Sequence, residues 1–418
     1  MQRDLISKPA RRAGVSRAMS DNFFFLLDSI AQQQIPTSTQ LEQIESSYNS
    51  TAQFLAQRVE FDGLIKQIHP HGSRQLGTMV RPKDDSRDGF DIDLIARLEP
   101  AALRRYGDER GPARLLNHFQ VAFEEYANTH GLTLKKWDRC VTLCYAGGMC
   151  ADIAPVIDDD PAHSNPYGAT HARIPDKSVA RFESTNPLGY TKFFKERTAI
   201  AANLQAIEAA VFDSVRKSAE IVPLNDPDEV FEPLLCRIVQ VLKLHRNVSF
   251  GGSSGVQDYA PSSIFITTLA AHAYAEKAPI FHTTPLELLL DVVEAMPTKF
   301  VSTSDGRKEF WELPNPAAPA SNLAEDMNTT ERQQAFRQWI AKLVDDIERI
   351  LAVIEERKGI DSVIDEVRLV FGQRPAKAVE KALLEKQQKE RAAGKATFFT
   401  GTAMPVTVQS RKHNFFGT

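Results

Sequence analysis

A chain of 418 residues with 42% hydrophobic content is too long for one ordinary core, which predicts a globular protein of two domains. Its net charge of −4 excludes a global basic field for nucleic acid, though a local groove is compatible with it. No apolar run approaches the roughly 20 residues that cross a bilayer, and the basic N-terminal stretch lacks the apolar segment of a secretory signal, so a cytoplasmic protein is expected.

The first ~60 residues read as helical. Phe23, Leu26, Leu27 and Ile30 recur at helical spacing, Pro36 interrupts, and Thr39-x-x-Glu42 has the form of a capping box before Leu41, Ile44, Tyr48 and Leu55. From His71 the texture changes. Gly72-Ser73 and Gly77-Thr78 bracket a short segment, and a polar loop runs from Lys83 to Gly89. Phe90–Ala96 then alternates like a strand. Leu116, Phe119, Phe123 and Tyr126 predict a helix over 113–129, stopped by Gly131. Val141–Tyr145 and Cys150–Val156 flank Gly147-Gly148 and read as a β-hairpin. Of the four cysteines, Cys140, Cys144, Cys150 and Cys236, the second and third would face each other across it. Their spacing fits neither a zinc site nor a disulfide framework, so reduced thiols are expected.

After about residue 215 strand signals fade. Helices are predicted at 230–246, 262–277, 285–295, 330–358 and 373–393, with a linker-like break over Leu313–Pro319 and little periodicity from Thr397 onward. Strands cluster early and helices late, which indicates an α+β protein. The division follows as residues 1–215 with the sheet, 216–396 helical, and a tail of 397–418.

The chemistry concentrates on few residues. On a strand, alternate side chains share a face, so Asp91 and Asp93 point together while Ile92 and Leu94 enter a core. Paired like charges are unfavourable alone, and a divalent cation such as Mg²⁺ relieves them. Asp152 lies on a second apolar strand. If the two strands are neighbours, it completes a carboxylate cluster able to hold two ions for in-line phosphoryl displacement. Gly72-Ser73 supplies close backbone approach, helix-start N–H groups and a hydroxyl for a terminal phosphate.

The segment His71–Pro82 followed by Asp91-Ile92-Asp93-Leu94 resembles bacterial CD-NTases, the cGAS/DncV-like nucleotidyltransferases of the polymerase β-type superfamily. Asp152-Ile153-Ala154-Pro155, Ser184–Tyr190, Arg237–Arg246, Pro261–Ile264, Asn315-Pro316 and Ser321–Ala324 extend the resemblance across roughly residues 60–330. It departs where Phe193 or Phe194 replaces a usual Trp, and in the absence of a zinc-type insertion, which argues against a sensor gripping double-stranded DNA.

The resemblance implies a polymerase β-like core with a mixed sheet, a helical second domain, and an active site in the cleft between them. It implies a synthase of cyclic di- or trinucleotides, such as a cyclic GMP-AMP isomer, for anti-phage (CBASS) signalling. ATP and GTP would be substrates and two Mg²⁺ ions, or Mn²⁺, cofactors. Asp91, Asp93 and Asp152 would be catalytic metal ligands. Ser73, with Gly72, would hold the donor triphosphate together with Lys243, Ser263 and Ser262. From the residues alone, Lys243 equally reads as a lysine snorkelling at a helix edge, and Ser262-Ser263 as a helix N-cap. A linear 2′–5′ or RNA-end transferase uses the same carboxylates, and a non-catalytic sensor would have lost one of them.

Other features read more plainly. His163 and His171 lie in a polar loop from Asp158 to Asp176, and Arg104, Arg105, Arg110 and Arg114 form a solvated face. Lys377–Lys395 is a mixed-charge helix. Phe415 and Phe416 suggest docking of the tail, and the resemblance implies docking or conjugation of the C-terminus by operon-encoded regulatory proteins; no membrane partner is expected.

Overall fold

The computed structural model describes residues 17–81, 90–145, 148–204, 233–251, 259–356, 358–392, 395–398 and 406–409. The polar loop at Lys83–Gly89, Gly147, and the tail phenylalanines Phe415 and Phe416 lie outside them. In chain order the helices are α1 Arg17–Gln32, α2 Ser38–Ala56, α3 Gly72–Leu76, α4 Leu103–Tyr106, α5 Gly111–His130, α6 Pro187–Thr198, α7 Leu234–Ser249, α8 Ser263–Lys277, α9 Pro285–Ala295, α10 Thr330–Glu355, α11 Ile360–Phe371 and α12 Gln373–Ala392. The main strands are β1 Ile65–His71, β2 Asp91–Leu98, β3 Thr133–Lys136, β4 Val141–Cys144, β5 Cys150–Asp158, β6 Ala172–Asp176 and β7 Arg181–Thr185.

The sheet is mixed, in the order β1-β2-β5-β4-β3, with β6 joining β5 and β7 joining β6. Its central pair, β2 and β5, is parallel, whereas β1 and β4 run antiparallel to their neighbours. A parallel pair needs a crossover, and the chain between β2 and β5 supplies one containing α5. Leu115, Phe119 and Phe123 of α5 pack on Ile92, Leu94 and Ala96 of β2 and on Val141, Leu143 and Ile153, all buried. Gly131, at φ +65, ends α5 in the left-handed conformation. Helix α2 adds Ile44 and Leu55 to this core. Its capping box lies two residues before the expected position. Thr37 has the extended backbone of an N-cap and exchanges bonds with Gln40, while Thr39 is already helical.

The second half forms its own core around Val239, Leu242, Phe265, Leu269, Trp311, Phe336, Trp339 and Ile340. This core recruits two elements from before residue 215: Phe23, Leu26, Leu27 and Ile30 of α1, and Tyr190, Phe193 and Phe194 of α6. In its middle, His245 Nε2 contacts Asp346 Oδ2 at 2.9 Å, and Trp339 Nε1 donates to His245 Nδ1 at 2.9 Å. Both the His245 and Asp346 side chains are buried, and Lys342 and Arg349 also bridge to Asp346 from its surface side.

Three expectations for this half are corrected. The Leu313–Pro319 stretch is not a linker: Pro314–Asn315 pairs with Ala318–Asn322, and Leu313, Ala317 and Ala318 are buried. Just before it, Val301–Ser304 pairs with Glu309–Glu312. A helix not expected from the sequence, α11, buries Ile364, Val367, Val370 and Phe371. Its twelve residues give too short a periodic run to separate from α10 and α12 by pattern alone. The tail begins with structure, since Lys395–Phe398 pairs with Val406–Gln409.

Candidate active site

The register of β2 against β5 sets Asp93 opposite Asp152, and Asp91 opposite Cys150. Asp91 is exposed at the strand end, while Asp93 and Asp152 are partly enclosed. On the other side of β2, His71 is the register partner of Asp93. The chain leaves β1 at His71 and turns directly into α3, so Gly72 sits against Asp93. A Cβ built on Gly72 would fall 1.6 Å from Asp93 Oδ2, and the residue has φ +66. Only glycine fits both demands.

The backbone N–H of Ser73 is directed at the Asp93 carboxylate. The helix start assigned to phosphate is therefore partly used to orient a carboxylate, and the Ser73 hydroxyl is what that residue has left to offer a ligand. Burial, then repulsion from Asp152 and Asp91, push the Asp93 carboxyl up to about 6, against the attraction of Lys243 and the Ser73 amide. On β4, Thr142 is the register partner of Asp152, donates its hydroxyl to Asp152 Oδ1, and accepts from Trp137 Nε1 at 2.8 Å. One oxygen of Asp152 is thereby held in place.

Among the described residues, no group of three or more His, Cys, Asp or Glu is gathered closely enough to hold a metal ion. The three expected carboxylates form an open ledge and not a closed cage. The ledge still suits a hard divalent cation: its donors are all carboxylate oxygens, and Asp93 and Asp152 stand opposite each other on adjacent strands.

Helix α7 approaches from the second half. Cys236, Gln240 and Lys243 follow one another at i, i+4 and i+7 and so share a face. Each donates to the loop after α3. The Cys236 thiol reaches the Leu76 carbonyl at 3.3 Å, Gln240 Nε2 the Met79 carbonyl at 3.0 Å, and Lys243 Nζ the carbonyl and hydroxyl of Thr78 at 3.1 and 3.0 Å. Lys243 does not snorkel; it is 4% exposed, and burial followed by repulsion from Arg246 lowers its ammonium to about 7. Ser262 is the N-cap of α8, its Oγ accepting from the Phe265 amide, whereas Ser263 Oγ accepts from Arg246.

Sequence reasoning missed Thr142, Gln240, Arg246 and His71. A signal existed for one of them, Gln240, which lies with Cys236 and Lys243 at i, i+4 and i+7 on one face of α7. His71 gave none, although burial and neighbouring His69 lower its imidazole to about 4 and leave it neutral. Several motif residues prove structural. Asn186 caps α6 and donates to the carbonyls of Tyr167 and Ala317, and Asn322 accepts from the amides of Leu313 and Ala324. His171 binds Ser184 and Asp159 and His163 is exposed, while Arg105 and Arg114 satisfy local groups at the surface. The four cysteines are free thiols, with Cys144 and Cys150 facing each other in register.

A mixed sheet with carboxylates on adjacent parallel strands, a Gly-Ser turn pressed against one of them and a helical second half agree with the polymerase β-like core that the sequence resemblance implies. Residues 21–198 match the Second Messenger Oligonucleotide or Dinucleotide Synthetase domain. The chain is 24% identical over 375 residues to a c-di-GMP synthase of Roseivirga ehrenbergii, covering 89% of this chain and 90% of that protein. It is 25% identical over 282 residues to the cyclic dinucleotide synthase CdnG of Bradyrhizobium diazoefficiens, covering 65% of this chain and 62% of the relative. The fold matches the structure of B. diazoefficiens CdnG in complex with GTP at a TM-score of 0.62 and 19% identity, over 87% of this chain and all of that one. It matches CdnC of E. coli in a complex with HORMA-deltaN at 0.53 and 14%, over 83% and 96%. Residues 21–198 thus resemble a second-messenger oligonucleotide or dinucleotide synthetase domain, and the chain shares the fold of the solved CD-NTase CdnG.

Proposed function

We propose that the protein joins two ribonucleoside triphosphates, at least one of them GTP, into a cyclic dinucleotide. The observation that carries this reading is the pairing of Asp93 with Asp152 across parallel strands, with the Gly72-Ser73 turn closed onto Asp93. The c-di-GMP synthase relative and the GTP complex of CdnG favour a guanine-containing product, c-di-GMP or a mixed GMP-AMP isomer. Asp91, Asp93 and Asp152 would hold Mg²⁺, which neutralises phosphate charge and acidifies the attacking ribose hydroxyl.

The chain's own groups do the rest. Thr142 fixes one oxygen of Asp152 and leaves the other facing the reaction. The Ser73 hydroxyl, Lys243 and Ser263 receive the donor triphosphate, with Gly72 and the Ser262-capped helix start beside them. The loop Leu76–Met79 is held by α7, so both halves grip the same nucleotide. The cyclic product would serve as a second messenger in anti-phage defence, and operon-encoded proteins acting on the chain or its C-terminus would set its activity. The E. coli relative bound to a HORMA protein supports a regulatory partner of this kind.

The test is incubation with Mg²⁺ and GTP, ATP or both, then phosphatase and mass spectrometry. A phosphatase-resistant dinucleotide is expected, and Asp91→Asn with Asp93→Asn should abolish it while the fold persists. A phosphatase-sensitive oligomer would instead identify a linear transferase. Undiminished synthesis by the double variant would overturn the site.

A further inference from the structure

We infer that Arg246 is a further ligand of the nucleotide's polyphosphate, acting beside Lys243 and through the Ser263 hydroxyl that it orients. The inference rests on the nucleotide reading above. Arg246 follows Lys243 by one turn of α7 and lies on the same side of it. Its Nη1 donates to the Pro261 carbonyl at 3.0 Å and to Ser263 Oγ at 3.1 Å, and its Nε and Nη2 share Asn247 Oδ1 at 3.0 and 2.8 Å. All of these acceptors are neutral. Among the described residues no carboxylate is recorded against this guanidinium, and burial lowers it to about 10.

Lys243 is similar in its hydrogen bonds, although the Asp93 carboxylate also attracts it. Its hydrogen-bond acceptors, the carbonyl and hydroxyl of Thr78, are neutral, and Arg246 repels it. Asp93 offsets part of the Lys243 charge, but Arg246 beside it is satisfied by neutral groups, so a further anion between the two cations would relieve their repulsion. A single carboxylate would offset one charge. A polyphosphate carries several, and its oxygens suit both the point charge of a lysine and the fork of an arginine.

The hydrogen-bond inventory points the same way. A guanidinium has five N–H groups. Nη1 uses two here, and Nε and Nη2 one each, which leaves one on Nη2. Ser263 Oγ accepts from Arg246, so its own O–H remains available as a donor. The neighbouring Ser262 differs, because its Oγ is used on the Phe265 amide. The geometry therefore separates the two serines: Ser262 caps the helix, and Ser263 with Arg246 faces the anion. Arg246 thus links the N-terminus of α8 to the helix that holds the loop after α3.

The experiment is calorimetric titration of the full chain with two probes, a non-hydrolysable GTP analogue in Mg²⁺ and inorganic tripolyphosphate. Guanosine serves as the phosphate-free control. Arg246→Gln should weaken both phosphate probes by about 10- to 100-fold, leave guanosine unchanged, and keep a melting temperature near that of the parent. Arg246→Lys should recover part of the loss by restoring charge without the fork. In Ser263→Ala, adding Arg246→Gln should weaken binding further, because the charge acts as well as the hydroxyl. Folded Arg246→Gln with parental affinity for both phosphate probes would overturn the inference, as would an equal loss for guanosine. A parent chain that binds tripolyphosphate but makes no cyclic product would instead overturn the synthase reading and leave Arg246 as an anion ligand.

Discussion

The two halves meet at one site but contribute opposite charge by opposite means. The sheet half presents Asp91, Asp93 and Asp152 on strand ends, where the register fixes them and one is open to solvent. The helical half presents Lys243 and Arg246 from within a packed helix, satisfied by carbonyls, hydroxyls and an amide oxygen. The sheet half therefore places its charges by backbone geometry, and the helical half by side-chain burial. Damage to the first should appear as lost chemistry in a folded protein. Damage to the buried packing behind the second, deeper in the helical half, should appear first as lost stability.

The largest effect is expected at Asp346. It is 1% exposed and contacts buried His245 together with half-exposed Lys342 and Arg349. Asp346→Ala should cost about 3 kcal/mol in denaturant unfolding, because it leaves buried His245 without its partner and removes the bridges to the half-exposed Lys342 and Arg349. The pH dependence has a defined sign. Burial alone would raise the Asp346 carboxyl, but the bonds from His245 and Lys342 outweigh it and hold it below the usual carboxylate range. Its contribution is complete above about pH 4 and fades as pH falls toward the lower folded value. The acid limb of the stability profile should be shallower in Asp346→Ala. Loss of nucleotide binding with unchanged stability would break the comparison.

Gly72→Ala is the counterpart in the sheet half. The new Cβ would collide with Asp93 Oδ2 and displace it. Turnover should fall by at least about 100-fold, the scale of an ångström misplacement, while far-ultraviolet circular dichroism still reports the parental fold. Thr142→Val ranks next, with turnover down about tenfold and little change in KM. Thr142→Ser should restore most of it by returning the hydroxyl to Asp152. The smallest effect belongs to Thr37→Ala, which removes one half of the α2 capping box and should lower stability by about 1 kcal/mol without altering turnover per folded molecule.

This contrast also explains what the sequence made legible. Asp91 and Asp93 were readable because period-two alternation is local, and the strand at Cys150 was readable for the same reason. Their adjacency was not, because a parallel pairing across α5 is decided by the tertiary fold. Helix ends with strong punctuation, such as Gly131 after α5 and Pro285 at the start of α9, fell where expected. The pairing of Pro314–Asn315 with Ala318–Asn322 was hidden by a proline-rich composition that elsewhere marks a linker, although Asn322 supplies the bonds that hold it. Thr142 and Arg246 were invisible for a third reason. Their significance lies in what they touch, Asp152 and Ser263, and neither neighbour is close in sequence.

The face of α7 that binds the loop after α3 does so largely through carbonyl oxygens. A carbonyl belongs to the main chain and is present whatever side chain the residue carries. Natural variants should therefore diverge freely at Leu76 and Met79, provided the replacements remain apolar and similar in size. Cys236, Gln240 and Lys243 have no such freedom, since each acts through a donor of its own side chain. A set of related sequences aligned on this region would show a variable loop beside an invariant helix, the reverse of the usual expectation for a nucleotide-binding loop.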